Sequence, residues 1–565
     1  MTSIAGASDA RCAVKPSLSV DPYRLAIIGA GPTCLYLLNA LQGRVSGCTI
    51  DIYEKGQRAG SGFPYAEHTA TRLMLANIAS IEMPRLEESL LAFLRRQDDK
   101  TLSNHGLCRD ALHERSFVPR VLIGRYLERQ FALTVRRLRL AGNTVRVRNG
   151  CTVRDIIPCG NNVLLRSDGG MRLHDMVVMA TGHQFPSHRP ETPHYFASPY
   201  SGLLEQAMPA ARFGILGSSL SACDAVFALA EQHGVFRTQA DGALSYERHA
   251  KAGGFAMTIM SRKGLLPEAD FYCPLPYRPL AVLDDAAMAN VLAAGSSGLL
   301  DAIFGLMRRE LQCADPSWCQ SIGLDALDAD SFAHAYFAAR QTMSPFAWAA
   351  DNLTEVERNH AARRTVEWRY ALLRMHETVE RCVPHLGPVD RRRFDNGLAQ
   401  VFIDNYAAVP CETIRRLLAL QEEGVLDLVK LGQGYRCNRY TRQVIAESGQ
   451  ELSFDFLIDA TGQRALRPHD MPFRTLRTLI GAAENFRYDD AFMLRHRRLD
   501  SAHIVLLALP YLLDRKPFAQ GLVACDEIAR RTASRIIDQL DNRAQSQVPV
   551  WQAALLPRFA AKVAA

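Results

Sequence analysis

The sequence predicts an α/β fold: two parallel-sheet units, each built around a strand, a glycine turn and a helix, with a helical stretch inserted in the chain. Three observations predict it. Residues 24–54 read as strand, turn, helix, strand and terminal acid in one register. Residues 213–263 repeat that order and end in cations instead. From about residue 299 to 424 strand signals give way to helical periodicity with Arg-rich polar faces. A chain of 565 residues is too long for a single core, so two or three domains are expected.

The first unit opens on Leu25-Ala26-Ile27-Ile28, an apolar run of the kind that makes a buried parallel strand. Gly29-Ala30-Gly31-Pro32 then turns tightly, and Cys34 to Leu41 carries apolar residues at helical spacing. Gly29 allows the turn, Gly31 lets the backbone approach a pyrophosphate, and the helix N-terminus offers free N–H groups to its charge. Thr49 to Tyr53 is a second strand, and Glu54 after it sits where a carboxylate can accept hydrogen bonds from an adenosine ribose. Cys34 replaces the third glycine of the fingerprint and is small enough for close helix–strand packing. These features make the unit Rossmann-like.

Next comes the Gly-rich loop Ala59 to Tyr65, then Leu73-Met74-Leu75-Ala76-Asn77. Its glycines suit either a backbone lying close to a ligand or a plain surface loop. Pro119 to Leu140 reads as a helix with proline in its first turn. Thr152 to Ile157 and Asn162 to Leu165 read as an antiparallel pair, and Asp175 to Met179 as a buried strand ending in Ala180-Thr181-Gly182-His183. In the second unit Phe213 to Leu216 leads into Gly217-Ser218-Ser219-Leu220-Ser221-Ala222 and a helix to Gln232. Ser219 stands where the second glycine would be. The next strand, Met257 to Met260, ends in Ser261-Arg262-Lys263, a cation pair that suits the 2′-phosphate of NADPH. Trp368, Tyr370, Leu372 and Leu373 in the helical stretch have the spacing of helix packing. Strands resume at Val425 to Leu431 and Phe454 to Ile458, the latter leading into Asp459-Ala460-Thr461-Gly462. The chain closes on Pro517 to Leu522 and a helix to about Leu540.

Composition excludes several classes. Of 66 basic residues 8 are Lys and 58 Arg, a skew that reads as codon bias, and clusters such as Arg391-Arg392-Arg393 lack interleaved aromatics. A nucleic-acid footprint is not expected despite the net charge of +7. The 14 cysteines form no C-x-x-C pair, which argues against most zinc ribbons and against a redox dithiol, and no metal site is expected. The longest apolar run, Ile504 to Leu513, is too short to span a bilayer and is broken by Pro510. No signal peptide is read in residues 1–20, so a cytoplasmic protein is expected, away from membranes.

The order of motifs is G-A-G-P, A-T-G, G-S-S-L-S-A, a second A-T-G and a Gly-Leu helix start. It resembles flavoproteins in which an NADPH domain is inserted into an FAD domain and the A-T-G segments are crossing points. More narrowly, Gly62-Phe63-Pro64-Tyr65, Leu75-Ala76-Asn77, Ala180 to His183, Gly217 to Ala222 and Ser261 to Pro267 resemble one FAD-NAD(P)-binding family. That family contains the aspartate N-hydroxylating, nitrosuccinate-forming monooxygenases. The fingerprint of the amine- and ketone-oxidising flavin monooxygenases is not matched; His194 to Tyr200 has its aromatics at the wrong spacing.

The resemblance implies FAD and NADPH as cofactors. The residues expected to hold them are Gly29, Gly31, Pro32, Thr33, Glu54, Lys55, Gly62, Phe63, Tyr65, Thr181 and Gly182; Gly217, Ser218, Ser219, Leu220, Ser221, Arg262 and Lys263; and Asp459, Thr461, Gly462, Gly521 and Leu522. Expected domains are a disordered tail over 1–21, an FAD domain over 22–190, an NADPH domain over 191–298, a helical insertion shaping the substrate pocket over 299–424, a return to the FAD domain over 425–540, and a tail over 541–565. The expected activity is that of an NADPH-dependent monooxygenase using molecular oxygen on the nitrogen of an amino acid or small amine. A dehydrogenase or reductase that builds no oxygen adduct, and a non-catalytic flavin scaffold, stay open. For chemistry the candidates are His183, beside the flavin or in a structural hydrogen bond, and Asn77, in a polar flavin contact or capping a turn.

Overall fold

The computed structural model describes residues 22–185, 192–481, 486–499 and 501–546. Two five-stranded parallel sheets organise it. In the first the strands lie in the order His503–Leu506, Met176–Met179, Arg24–Ile28, Thr49–Tyr53 and Thr144–Arg148. Leu25 pairs with Ile50 on one side and with Met176 on the other. These strands are short apolar runs because both faces are covered, by helices such as Pro32–Leu41 and by the antiparallel strands, whose Ile156, Val163 and Leu165 lie in the same core; Ala26, Ile27, Val177 and Ile504 are fully buried. The second sheet runs Leu426–Lys430, Ala256–Ser261, Arg212–Leu216, Phe456–Asp459 and Tyr195–Phe196, again all parallel.

Adjacent parallel strands need a crossover, and here one crossover is a domain in itself. Between Ala256–Ser261 and Leu426–Lys430 lie nine α-helices, from Asp285–Ala293 to Cys411–Glu422. Several pack among themselves around Ile303, Met307, Phe332, Leu372, Phe394 and Phe402. Two others, Pro345–Ala362 and Cys411–Glu422, instead cover the second sheet through Phe346, Leu353, Ile414 and Leu417. Tyr370 and Leu372 are buried in these cores, and Trp368 stacks on Trp318 at 4.4 Å.

Several boundaries differ from those expected. Leu426–Lys430 and Phe456–Asp459 complete the second sheet, so the chain rejoins the first only at His503–Leu506 and not at residue 425. A run of four or five apolar residues does not state which sheet it will join. The insertion becomes helical at Asp285, where the Asp284 side chain accepts from the Ala287 N–H, an N-cap legible in the sequence. The antiparallel pair gains a third strand, Gly170–His174. The closing helix Gly521–Ser546 runs past residue 541; the rest of the expected C-terminal tail and the tail over 1–21 lie outside the described residues. Among the described residues all cysteines are free, no group of three or more potential metal ligands occurs, and no helix is long and apolar enough to cross a membrane.

Candidate functional site

In an open parallel sheet, ligands bind beyond the carboxyl ends of the strands, where the strand order reverses direction. In the first sheet that point lies between Arg24–Ile28 and Met176–Met179, and in the second between Arg212–Leu216 and Phe456–Asp459. The two points are built alike. Gly29 turns at φ +96°, and a Cβ on it would lie 2.3 Å from the carbonyl oxygen of Ala180. Gly217 turns at φ +104°, and a Cβ on it would lie 2.4 Å from the carbonyl oxygen of Ala460. The Gly29 N–H donates to Tyr53 and that of Ala180 to Ile28; the Gly217 N–H donates to Met260 and that of Ala460 to Leu216, all at 2.7–2.8 Å. Only glycine fits so close beneath the neighbouring strand end.

Each turn feeds a helix whose first N–H groups no side chain caps. Gly31 precedes Pro32–Leu41, with Pro32 in the first turn, and exposed Ser219 precedes Leu220–His233. Ser218, Leu220 and Ser221 lie half-buried around that second start. Uncapped N-termini facing a strand-end crevice fit a pyrophosphate. At the first crevice Thr181 Oγ1 is buried without a hydrogen-bond partner, and nothing crowds Gly182, which turns at φ +64°. These residues fit FAD.

The Gly-rich loop lies on the first turn and not apart from it. The Gly60 N–H donates to the Ala30 carbonyl at 2.7 Å, and a Cβ on Gly62 would meet Pro32 Cδ at 2.5 Å. The space beside Gly31 is filled partly by Gly62, whose Cα would lie 3.3 Å from a Cβ there. Glu54 also holds the turn: its two carboxylate oxygens accept from the N–H groups of Ala30 at 2.8 Å and Gly56 at 2.7 Å. Each oxygen keeps a second lone pair for a ribose. Lys55 is exposed. Thr33 is buried and its hydroxyl reaches Cys525 Sγ at 3.2 Å, so its side chain packs the helix against the closing helix. Tyr65 is buried, which pushes its phenol up to about 12. Asn77 is exposed and makes no side-chain hydrogen bond among the described residues, so it caps no turn.

The cation pair after Ala256–Ser261 separates. Arg262 is exposed and free of ion pairs among the described residues, two positions beyond Met260, which bridges to Gly217. Lys263 turns the other way, hydrogen-bonding Gln400 and lying 4.2 Å over the Phe337 ring of the insertion. Burial pulls its ammonium down to about 8, with Asp404 opposing. Sequence spacing alone does not tell these two orientations apart.

The two crossing segments touch. His183 Nδ1 bonds Gln463 Oε1, and Gln463 Nε2 donates to the Gln184 carbonyl at 3.2 Å. Burial pulls the His183 pKa below its ordinary value, and the Gln463 bond opposes that. Gln463 holds in the second A-T-G the place His183 holds in the first, so aligning the two motifs would have found it. Asp459 bonds the Thr461 hydroxyl at 2.6 Å and its N–H at 3.1 Å, shaping its own turn, while Gly462 follows at φ +92° in open space. The rings of Phe63, Phe185 and Tyr200 pack tilted and edge-on, with centroids 5.0–5.6 Å apart, beside the first crossing. Behind them Arg120 of helix Arg120–Leu140 and Asp224 of helix Leu220–His233 form a buried ion pair at 2.5 Å, and the Tyr200 hydroxyl also donates to Asp224. No motif marks that clasp.

The closing helix begins at Gly521, φ +69°, with Leu522 buried. The insertion covers this start: Glu380 accepts from the Phe518 N–H at 2.9 Å and pairs with Lys516 at 2.7 Å, and the Gln520 amide donates to the Tyr406 hydroxyl at 3.1 Å.

Residues 26–184 match the FAD-NAD(P)-binding family, and residues 284–406 match the YdhS-like middle domain. The chain is 41% identical over 519 residues to the uncharacterized protein YdhS of Escherichia coli strain K12, covering 91% of this chain and 97% of that protein. Among solved structures it is similar to the ornithine N-hydroxylase of Kutzneria sp. 744, at 14% identity and a TM-score of 0.48 over 92% of this chain and 100% of that one. It is similar also to the ornithine hydroxylase of Pseudomonas aeruginosa, at 14%, 0.47, 92% and 100%. The bacillithiol disulfide reductase of Staphylococcus aureus is matched at 10%, 0.40, 92% and 99%.

Proposed function

The chain belongs to the YdhS family of FAD-NAD(P)-binding proteins, and from that premise we propose that it is an NADPH-dependent FAD monooxygenase hydroxylating the nitrogen of an amino acid or small amine. The observation that carries the reading is the duplicated strand-end crevice, Gly29 under Ala180 and Gly217 under Ala460, with the two crossings joined through His183 and Gln463. Two dinucleotide sites linked at their crossing points suit transfer between two cofactors. FAD, when bound, supplies two-electron acceptance from NADPH and reaction of its reduced form with oxygen.

The chain's own residues do the rest. The turn Gly29–Pro32 and its helix hold the FAD pyrophosphate, with Glu54 on the ribose; Gly217–Ser221 and Arg262 hold NADPH. The wall of Phe63, Phe185 and Tyr200 keeps water from the first crossing. The described cysteines include no dithiol centre, so oxygen is the acceptor that suits this site. Free thiols suit a reducing cytoplasm, and the partner is a small molecule, not a nucleic acid. The test incubates FAD-loaded enzyme and NADPH with candidate amines and labelled oxygen, and reads products by mass spectrometry. One labelled oxygen atom on nitrogen, with matching NADPH consumption, is expected. NADPH consumption with unlabelled product and faster turnover on an artificial acceptor would overturn the reading.

A further inference from the structure

Beyond the second sheet, residues 270–278 run through a junction of all three parts of the molecule. Arg115, from the first unit, lies 4.7 Å over the ring of Tyr272, and Arg369, from the insertion, lies 4.4 Å over the ring of Phe271. Junctions of this kind are where small-molecule sites occur. Its charges are of both signs, and of Glu82, Arg115, Asp270 and Arg369 only Arg369 is in an ion pair among the described residues, with Glu268. Among the described residues the Asp270 carboxylate has no hydrogen bond or ion pair, and Arg115 pairs with no carboxylate. Glu82 accepts only the Ala79 N–H at 2.8 Å. All three are nonetheless neighbours: the Ile81 N–H donates to the Glu114 carbonyl at 3.0 Å, which sets Glu82 beside Arg115, and Arg115 covers Tyr272 two positions from Asp270. Burial and then Glu82 push the Asp270 carboxyl up, while Arg369 and Arg115 pull it down.

Arg369 adds an independent observation. Its side chain is 4% exposed, yet Nε and Nη2 lack a hydrogen-bond acceptor, the 3.1 Å approach of Nη2 to Glu268 being misaligned for one. Buried donors without an acceptor are costly unless something joins them. A molecule carrying both signs a few ångströms apart would join them.

We propose that this junction is a binding site for a small α-amino acid, with Arg115 and Arg369 meeting the carboxylate and Glu82 and Asp270 meeting the ammonium. It deepens the reading of the chain as a nitrogen hydroxylase and rests on it for the identification of this ligand as substrate. The test is calorimetric titration of the FAD-loaded full chain with each of the twenty standard amino acids and L-ornithine. At least one should bind, and the amine lacking its carboxylate should not. Arg115→Met and Asp270→Asn should each weaken the binder by about ten-fold or more, the worth of a charge-assisted hydrogen bond. Asp270→Asn keeps the shape and removes an unpaired charge, so its thermal midpoint should not fall, which separates lost binding from lost folding. No binding across the panel, or unchanged affinity in both variants, overturns the proposal. An amino acid that binds through these residues but is not hydroxylated upholds the site and refutes the hydroxylase. A hydroxylated amino acid whose binding ignores both variants does the reverse.

Discussion

Replacing Gly217 and Gly29 by alanine, one at a time, should separate the two cofactors. An alanine Cβ at Gly217 would lie 2.4 Å from the Ala460 carbonyl oxygen, and at Gly29 it would lie 2.3 Å from that of Ala180. Ordinary carbon–oxygen contacts begin about 1 Å further out, and the obstacle is backbone on both sides, so the turn or the crossing must shift by about that much. The backbone itself adds strain, since φ values of +104° and +96° cost an L-residue about 1–2 kcal/mol. A 1 Å shift of the helix N-terminus also forfeits a charge-assisted hydrogen bond to phosphate, about 1.5–3 kcal/mol. Together these come to about 2.5–5 kcal/mol, or about 10²- to several 10³-fold in affinity. Gly217→Ala should stay yellow after gel filtration and keep its FAD, yet be reduced by NADPH only at far higher concentration. Gly29→Ala should elute colourless and be unable to take up FAD at concentrations that saturate the wild type. A Gly217→Ala enzyme reduced by NADPH as readily as wild type, or a Gly29→Ala enzyme that keeps its flavin, would refute the assignment of one dinucleotide to each crevice.

The cation pair should behave unequally. Arg262→Ala should raise the KM for NADPH about ten-fold or more and leave that for NADH nearly unchanged. Lys263→Ala should leave the NADPH to NADH preference intact, because Lys263 is engaged with Gln400 and Phe337; both are read by steady-state kinetics. Arg120→Ala leaves Asp224 buried and unpaired, and should lower unfolding stability by about 3–5 kcal/mol in urea titration. Burial, then Glu82, raises Asp270 to about 7, above its ordinary 3.8, so the folded state binds the proton more tightly than the unfolded chain. Stability from this group is therefore fully present below about pH 4 and falls as pH rises toward about 7. Asp270→Asn should flatten that part of the pH profile of the urea midpoint, and an unchanged profile would count against a sheltered carboxyl.

The sequence by itself determined the local chemistry. Glycines at 29 and 217 followed by apolar helical runs admit little except strand-to-helix turns, because the close approach to a neighbouring strand end tolerates no Cβ. The buried parallel strands were equally legible, since a strand covered on both faces must be apolar throughout. Where a side chain points after such a strand was not legible. Arg262 and Lys263 are adjacent cations in the sequence, and packing against Phe337, 74 positions away, takes one of them out of the site. Glu54 could be placed at a strand end, but its capture by the Ala30 and Gly56 N–H groups depends on the exact path of the turn. Strand membership was decided only by tertiary structure, because Leu426–Lys430 mixes apolar and charged residues just as the first-sheet strand Thr144–Arg148 does, and its partner is fixed by the crossover above it. The Arg120–Asp224 clasp and the junction of Glu82, Arg115, Asp270 and Arg369 join residues from distant parts of the chain. No periodicity or spacing carries such long-range pairings, since they exist only once separately folded parts are pressed together and their charges desolvated.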